Sequence, residues 1–246
     1  MIYNNLLKIK NKYKAGYFVL IDPDIKNENK ILDIVDTINN SNVDGILIGG
    51  SLIMDNGFNE RAKKIKKISN VPVILFPGSV NHINPYCDAV LFMSIISGRN
   101  PTYLIGEHVV AAPIVKDLNI EPIPTGYMIF ESQSMTSVDF MSGSKPLPRN
   151  KPEIAAAHAL AGQYLGMKLI YLEGGSGAEE SIPNNVIKRV SQFIEIPVMV
   201  GGGIKNPSTA SEKVESGASF VVTGTFNEEN ISISKLNDFA NAIHGV

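Results

Sequence analysis

The sequence predicts an α/β protein that folds as a modified TIM (βα)8 barrel. Short apolar runs rich in β-branched residues alternate with amphipathic stretches along the whole chain. Strands that alternate with helices of roughly 10–15 residues are typical of parallel βαβ units, and eight units in about 250 residues match the size of a TIM barrel. The predicted strands are 16–22, 43–49, 71–76, 88–93, 121–130, 168–173, 196–201 and 218–224.

Helices are expected between most of these strands, because apolar residues recur there at helical spacing. Segment 1–14 has the pattern of a short amphipathic helix, and the basic stretch 61–67 is expected to form a solvated helix face. No linker divides the chain, so residues 1–246 are predicted to form a single domain. The predicted helices are 28–40, 59–69, 102–111, 152–165, 182–193, 207–216 and 231–243.

One predicted unit lacks its helix. Residues 77–87 read PGSVNHINPYC, with two prolines and two asparagines. A parallel crossover normally takes about a dozen residues or more, usually as a helix. We therefore expect an extended or irregular segment in place of the third helix of the barrel.

A second irregular region, 131–151, follows the fifth strand and is polar and rich in Ser, Gly and Pro. Connections of this length are usually lids or binding loops. Because the region leaves the carboxyl end of a strand, we expect it to cover the active mouth of the barrel.

Composition excludes several classes of function. The 246 residues are 44% hydrophobic and 19% charged, which allows a full core, and the net charge of −2 leaves no basic footprint for nucleic acid. Cys87 is the only cysteine, so a disulfide within the chain is excluded. No apolar stretch approaches the roughly 18 residues of a membrane span. Segment 1–14 lacks the apolar core of a signal peptide, so a cytoplasmic location is expected.

Three glycine clusters directly follow apolar runs in the last third of the chain. They occur in KLIYLEGGSG (168–177), IPVMVGGGI (196–204) and ASFVVTGT (218–225). Backbone N–H groups of such loops bind phosphate, especially beside a helix N-terminus. One cluster alone is better explained as a tight turn with nothing bound. Three at the same end of successive strands favour a phosphate site.

Two carboxylates stand at predicted strand ends, where reactive residues of TIM barrels lie. Asp22 ends the first strand and Ser51 follows the second, and these oxygen ligands suit Mg²⁺. Asp22 alone is equally well explained as a turn residue before Pro23. Glu173 ends the sixth strand and is placed to accept a proton from a substrate hydroxyl, with a surface salt bridge as the alternative.

Other catalytic arrangements are disfavoured. The chain has no nucleophile elbow, no Walker loop and no GxGxxG behind the first strand, which disfavours P-loop hydrolysis and Rossmann-type hydride transfer. The histidines lack metal-ligand spacing and are expected to pack or to lie on the surface; they are His82, His108, His158 and His244.

Segment 97–112 is unusually apolar. It is either a core or subunit contact or one wall of a hydrophobic substrate groove. Because an unburied apolar helix leaves an exposed patch, we expect a homodimer or a larger ring of dimers, such as a homohexamer.

Six separated motifs resemble the geranylgeranylglyceryl phosphate synthases. The resemblance covers about residues 17–227, and its YLEGGSGA form is similar to a subgroup found in many archaea and some bacteria. It implies a TIM barrel without its third helix and a Mg²⁺-dependent prenyltransferase. Such an enzyme joins C3 of sn-glycerol 1-phosphate by an ether bond to C1 of a polyprenyl diphosphate, releasing diphosphate. The motifs are LIDPD (20–24), DGILIGGS (44–51), SGRNPTYLIGEHVVAAP (97–113), PTGYMIFE (124–131), YLEGGSGA (171–178) and VGGGIKN (200–206).

The resemblance also implies roles for individual residues. Asp22 and Ser51 correspond to the Mg²⁺ site. Glu173 is expected to accept the proton of the attacking C3 hydroxyl, Tyr171 to help hold the glycerol, and Tyr127 to gate the prenyl groove. The acceptor pocket corresponds to Tyr171, Leu172, Glu173, Gly174, Gly175, Ser176, Gly177, Gly202, Gly203, Gly224 and Thr225.

The chain also departs from the family pattern. Some bacterial relatives carry a lysine that contacts glycerol phosphate where this chain has Leu20, so another donor or the backbone must replace it. A C20 donor is expected, although the side chain that measures donor length is not placed. Contact with a membrane is expected to be peripheral at most.

Three rivals remain at this point. A phosphate-binding TIM-barrel lyase or isomerase usually needs a lysine or a second catalytic carboxylate inside the barrel, and no strand-end lysine is evident. A flavin-binding barrel would be yellow when purified. A non-catalytic phosphometabolite-binding barrel would bind glycerol phosphate without Mg²⁺-dependent turnover, and the presence of both Asp22 and Glu173 argues against it.

Overall fold

The computed structural model describes residues 1–50, 52–53, 55–224 and 231–246. Eight parallel strands form a closed barrel, in which each strand pairs with the next in the chain and the last pairs with the first. The predicted TIM-barrel class is confirmed. The strands are β1 (Gly16–Ile21), β2 (Gly45–Ile48), β3 (Val73–Leu75), β4 (Ala89–Ile95), β5 (Glu121–Ile129), β6 (Leu169–Glu173), β7 (Val198–Gly201) and β8 (Phe220–Gly224).

The predicted helices are present with slightly shifted ends, except for the fourth. A π-helical turn at Thr102–Gly106 comes first there, and the α-helix then continues through Pro113 to Asp117. Proline usually ends a helix, which explains the shorter prediction. No helix in the described ranges is long and apolar enough to cross a lipid bilayer. The helices are α1 (Ile2–Lys12), α2 (Ile31–Asn39), α3 (Phe58–Ile68), α4 (Glu107–Asp117), α5 (Ser137–Ser142), α6 (Pro152–Tyr164), α7 (Asn184–Phe193), α8 (Pro207–Glu215) and α9 (Ile233–His244).

Side chains of each strand alternate between two cores, because successive residues of a strand point to opposite faces. One core fills the barrel, and the other lies between the strands and the helices. The first includes Phe18, Leu47, Leu91, Tyr127, Tyr171 and Phe220, and the second includes Val19, Ile48, Val90, Met128, Leu172 and Val221.

Helix α1 covers the N-terminal end of the barrel. Leu6 is fully buried against the interior core. The N–H groups of Ile2 and Tyr3 donate to the carboxylate of Glu121, and the Tyr3 hydroxyl donates to the carbonyl of Lys168 at 2.9 Å. The opposite, C-terminal mouth remains for a ligand.

The third helix is replaced as predicted. Only a 3₁₀ turn at Val80–His82 lies between β3 and β4. The ring of His82 stacks on Phe58 of α3 at 4.9 Å, and its Nδ1 accepts the N–H of Gly78 at 3.0 Å. A buried aromatic contact therefore occupies part of the space of the missing helix, and His82 has a packing role.

Part of the basic stretch 61–67 lies inside the protein. Arg61 is only 3% exposed; its guanidinium donates to the carboxylate of Asp55 at 2.6 Å and to the carbonyl of Pro23. Lys63, Lys64 and Lys67 are exposed, as expected. The expectation of a solvated face is wrong for Arg61, because its long side chain reaches the loops that follow β1 and β2 and ties them together.

The long connection 131–151 is held at both ends. Its chain returns beside β5, where Leu147 N–H donates to the carbonyl of Ile129 at 2.8 Å and Glu131 N–H donates to that of Leu147 at 2.9 Å. Between these anchors lies α5, which begins with a capping box formed by Thr136 and Asp139. We call this segment the lid loop.

Candidate functional site

Two of the predicted glycine loops lie side by side at the C-terminal mouth. Gly174 N–H donates to the carbonyl of Gly201 at 2.9 Å. At Gly202, where φ is +87°, an added Cβ would lie 2.8 Å from the amide nitrogen of Gly175 and 2.9 Å from Oε1 of Glu173. Only glycine combines this left-handed backbone with so close an approach. The two loops therefore pack directly on each other and on the carboxylate of Glu173.

The third glycine cluster is described only in part. Gly224, at the end of β8, is exposed and has open space where a side chain would be. Thr225 lies outside the described residues, as does Ser51 of the expected metal site. Ser176 and Gly177 are exposed in the loop after β6, and Gly203 packs against the backbone of Glu180.

Glu173 is buried at the centre of the mouth. Its carboxylate accepts the Tyr127 hydroxyl at 2.9 Å through Oε2 and the Gly175 N–H at 2.6 Å through Oε1. Only 6% of the residue is exposed. The alternative of a surface salt bridge is wrong, because the carboxylate faces the barrel interior and its hydrogen bonds come from neutral donors.

Two tyrosines and Phe76 form an aromatic floor beneath this carboxylate. The rings of Tyr127 and Tyr171 are 5.3 Å apart, and Phe76 lies 5.8 Å from the first and 5.3 Å from the second. Tyr171 is 1% exposed, and its hydroxyl lies over Gly201, where an added Cβ would approach it to 2.2 Å. Sequence reasoning missed Phe76, because an apolar residue after a strand resembles any core residue.

Burial governs the ionisation of this cluster. It raises the pKa of Glu173, while the Gly175 N–H and the Tyr127 hydroxyl act in the opposite direction by stabilising the carboxylate. Burial also raises the pKa of Tyr127 and of Tyr171 well above the usual value, with a further contribution from the charge of Glu173. Both phenols therefore stay protonated at neutral pH and can act as hydrogen-bond donors.

The side chain of Leu172 points away from the site. Its side chain is fully buried in the core between strands and helices, because it alternates with Tyr171 and Glu173 along β6. The prediction that the side chain of Leu172 binds the acceptor is therefore wrong. Leu20, which stands where some relatives have lysine, packs against the interior core.

The lid loop reaches over the glycine loops. An added Cβ at Gly175 would lie 2.4 Å from Cγ2 of Thr136, so the start of α5 touches the loop after β6. This agrees with the expected position of segment 131–151 over the active mouth. The sequence carried a signal for α5 that the prediction did not use, since Thr136-x-x-Asp139 has the spacing of a capping box.

Asp22 lies at the same mouth, beside the end of β2. An added Cβ at Gly50 would lie 2.9 Å from Oδ1 of Asp22, so this carboxylate adjoins the residue before Ser51. In the described part of the chain, no cluster of three or more His, Cys, Asp or Glu could hold a metal ion.

An apolar groove begins next to this position. Gly78 adjoins the carbonyl of Gly50, and the groove runs between segment 77–83 and α4. The residues of α4 divide between two faces, since Ala111 lines the groove whereas Val109 is 66% exposed. The groove is lined mainly by Pro77, Val80, Ile83, Phe92, Tyr103, His108 and Ala111.

Comparison with known proteins shows the family of this chain. Residues 8–243 match the model of the PcrB family. The chain belongs to the PcrB family. The geranylgeranylglyceryl phosphate synthase of Chitinophaga pinensis, a similar protein, is 40% identical over 243 residues, which cover 99% of this chain and 96% of that protein. The synthase of Thermococcus gammatolerans is 44% identical over 227 residues, which cover 92% of this chain and 89% of that protein.

A solved structure is similar to this PcrB-family chain along its whole length. It is the (S)-3-O-geranylgeranylglyceryl phosphate synthase of Thermoplasma acidophilum in complex with its substrate sn-glycerol-1-phosphate. The TM-score is 0.93 at 33% identity, and the match covers 100% of this chain and 99% of the other. The resemblance that the six sequence motifs indicated is confirmed.

Proposed function

We propose that this PcrB-family chain is a prenyltransferase that forms an ether bond between C3 of sn-glycerol 1-phosphate and C1 of geranylgeranyl diphosphate. The observation that carries the proposal is the buried Glu173 carboxylate, held by Tyr127 and Gly175 between two glycine loops. The similar synthases, one of them crystallised with sn-glycerol-1-phosphate, support this choice of acceptor.

The glycine loops are suited to the phosphate of the acceptor. Gly175, Gly177, Gly202 and Gly203 all have positive φ. Such backbones turn N–H groups toward a common centre, and anions bind in these concavities. This arrangement replaces the lysine that Leu20 does not supply.

Glu173 is the general base in this proposal. As the C3 oxygen attacks C1 of the donor, the bond from C1 to the diphosphate oxygen breaks, and the proton of the C3 hydroxyl moves to Glu173. Burial raises the pKa of Glu173, which makes its carboxylate a stronger base than an exposed one. The protonated phenols of Tyr127 and Tyr171 orient the carboxylate and the glycerol.

Asp22, together with Ser51, is proposed to hold Mg²⁺. Oxygen donors suit this ion, which takes its remaining ligands from water and substrate phosphates. When bound, Mg²⁺ would neutralise charge on the departing diphosphate. The side chain of Asp22 and the start of the groove at Gly78 both adjoin Gly50, which supports a diphosphate site next to the hydrocarbon path of the donor.

The apolar groove is proposed to hold the prenyl chain. Its walls are mostly apolar side chains of segment 77–83, β4 and α4, with Ser79, Glu107 and His108 as polar members, and an apolar lining suits a hydrocarbon. Tyr127 is proposed as the gate, since it contacts Phe76 directly before the groove begins at Pro77.

Assembly through the other face of α4 is part of the proposal. Ile105, Val109 and Val110 are between 57% and 66% exposed and form an apolar surface that a second copy can cover. We propose a homodimer or homohexamer in the cytoplasm, with peripheral contact at most to the membrane that receives the lipid product.

Incubation with radiolabelled sn-glycerol 1-phosphate, Mg²⁺ and prenyl diphosphates of several lengths tests the function. We expect an extractable ether lipid, formed fastest with the C20 donor, and no product with the sn-3 enantiomer or after chelation of Mg²⁺. Binding of glycerol phosphate without product at any donor length would instead support a non-catalytic barrel.

A further inference from the structure

The lid loop brings a second buried carboxylate to the site. Asp139, on α5, is 8% exposed. Burial is the main cause of the raised pKa of Glu173 and of Tyr127, and the nearby charge of Asp139 raises the pKa of both further. Asp139 therefore lies close to the proposed general base, although it comes from a different part of the chain.

Only half of this carboxylate is used by the fold. Oδ2 accepts the N–H of Thr136 at 3.0 Å, and the Asp139 N–H donates to the Thr136 hydroxyl at 3.3 Å. Oδ1 is buried and has no hydrogen-bond partner among the described residues. A buried carboxylate oxygen without a hydrogen-bond donor lowers the stability of the fold. The cap of α5 uses only Oδ2, so it does not explain why Oδ1 is buried.

The surroundings of Asp139 connect it to the acceptor loops. Thr136, its partner in the capping box, touches Gly175, whose N–H is bound to Glu173. Asp139 also lines a cavity of about 380 Å³ that residues of the lid loop form, among them Ser132 and Ser144. The link between Asp139 and the acceptor loops is therefore the contact of Thr136 with Gly175.

We propose that Asp139 is an acceptor-binding residue, whose Oδ1 accepts a hydrogen bond from the C2 hydroxyl of glycerol phosphate. This inference rests on the proposed function. The phosphate then lies at the glycine loops, the C3 hydroxyl at Glu173 and the C2 hydroxyl at Asp139. Three separate contacts around C2 distinguish the two enantiomers of glycerol phosphate, which two contacts do not. The lid loop would thus supply the stereochemical contact.

The test compares two acceptors in two variants. The acceptors are sn-glycerol 1-phosphate and 3-hydroxypropyl phosphate, which lacks only the C2 hydroxyl. Asp139→Ala removes both carboxylate oxygens, and with them the proposed acceptor and the carboxylate half of the cap. Thr136→Ala weakens the same cap without touching the carboxylate, and so controls for a loosened α5. Steady-state kinetics with geranylgeranyl diphosphate and calorimetric titration of each acceptor give two independent measurements.

Wild type should prefer glycerol phosphate over 3-hydroxypropyl phosphate in kcat/KM by roughly tenfold to a hundredfold, because the analogue leaves Asp139 unpaired. Asp139→Ala should remove most of that preference in both kinetics and binding, and should weaken discrimination against the sn-3 enantiomer. Thr136→Ala should slow both acceptors equally. An unchanged preference in Asp139→Ala, or the same loss of preference in Thr136→Ala, overturns the inference. Absence of ether lipid from wild type with either acceptor would overturn the proposed function itself.

Discussion

Replacing Glu173 by glutamine gives the sharpest test of the proposed chemistry. Glutamine has the same shape, and its amide can accept the Gly175 N–H while donating to Tyr127, whose hydroxyl accepts as well as donates. The Gly175 N–H keeps its partner, and of these two donors only the Tyr127 O–H loses its acceptor. The change therefore removes the base with little disturbance of the surrounding loops.

The size of the effect follows from that geometry. Loss of a positioned general base lowers kcat by roughly a hundredfold to ten-thousandfold. This corresponds to about 3–5 kcal/mol of transition-state stabilisation. Affinity for glycerol phosphate should stay within about threefold, which is less than about 0.7 kcal/mol.

The pH dependence provides a second readout. Wild-type kcat should fall as pH drops through the pKa of Glu173, which burial raises above 4.5, and this acid limb should be absent from Glu173→Gln. A raised folded-state pKa gives stability that is present below the unfolded value and is lost as pH rises through the folded value. Chemical denaturation should therefore show that the free energy of unfolding of Glu173→Gln rises relative to that of wild type between about pH 4 and about pH 8.

Glu179→Gln is the matched control, since this carboxylate is exposed in the same loop. It should keep wild-type kcat. The reasoning is refuted if Glu173→Gln retains kcat within about tenfold of wild type, or if its acid limb persists at the same pH.

Three further changes separate the parts of the site. Gly202→Ala should abolish turnover, because the new Cβ meets Gly175 and Glu173. Its control is Gly166→Ala, which is also at positive φ but has open space around it. That variant should keep its activity and lose only about 1–2 kcal/mol of stability in urea unfolding. Ala111→Phe fills the groove and should therefore shift the preferred donor from C20 to shorter chains in a competition assay. Val110→Phe lies on the exposed face and should leave the preferred donor unchanged. An equal shift in both variants would contradict the groove assignment. Val109→Lys should reduce the mass in sedimentation velocity to that of smaller assemblies, and an unchanged mass would exclude this face of α4 from the interface.

The barrel was predictable because its signals are local. Apolar runs of strand length recur along the chain, and Pro77 and Pro85 mark the unit without a helix directly in the sequence. The orientation of Glu173 was also predictable. Residues two positions apart in a strand point to the same side, and Tyr171 faces the barrel interior, so Glu173 at the end of the strand faces the mouth. The same alternation would have excluded the side chain of Leu172, had it been applied to each residue of the motif.

The contribution of the lid loop was not predictable. The contact of Thr136 with Gly175 depends on two segments that are distant in the chain, and no local pattern determines which loop folds onto which. The Thr136–Asp139 spacing indicated a helix start but not its destination. The same limit applies to Arg61, whose helical pattern indicates an outer face while its partners lie in other loops.

The segment that replaces the third helix changes the shape of the reaction chamber. An ordinary TIM barrel offers a pit whose depth limits what it can hold, whereas here a small cavity of about 70 Å³ lies beside the rim at Gly78 and borders α4. Under the proposed function, a linear donor would extend from this rim toward α4, with only its reactive end above the strands. Substitutions along this path would then change the preferred donor length while Glu173 and the glycine loops stay unchanged.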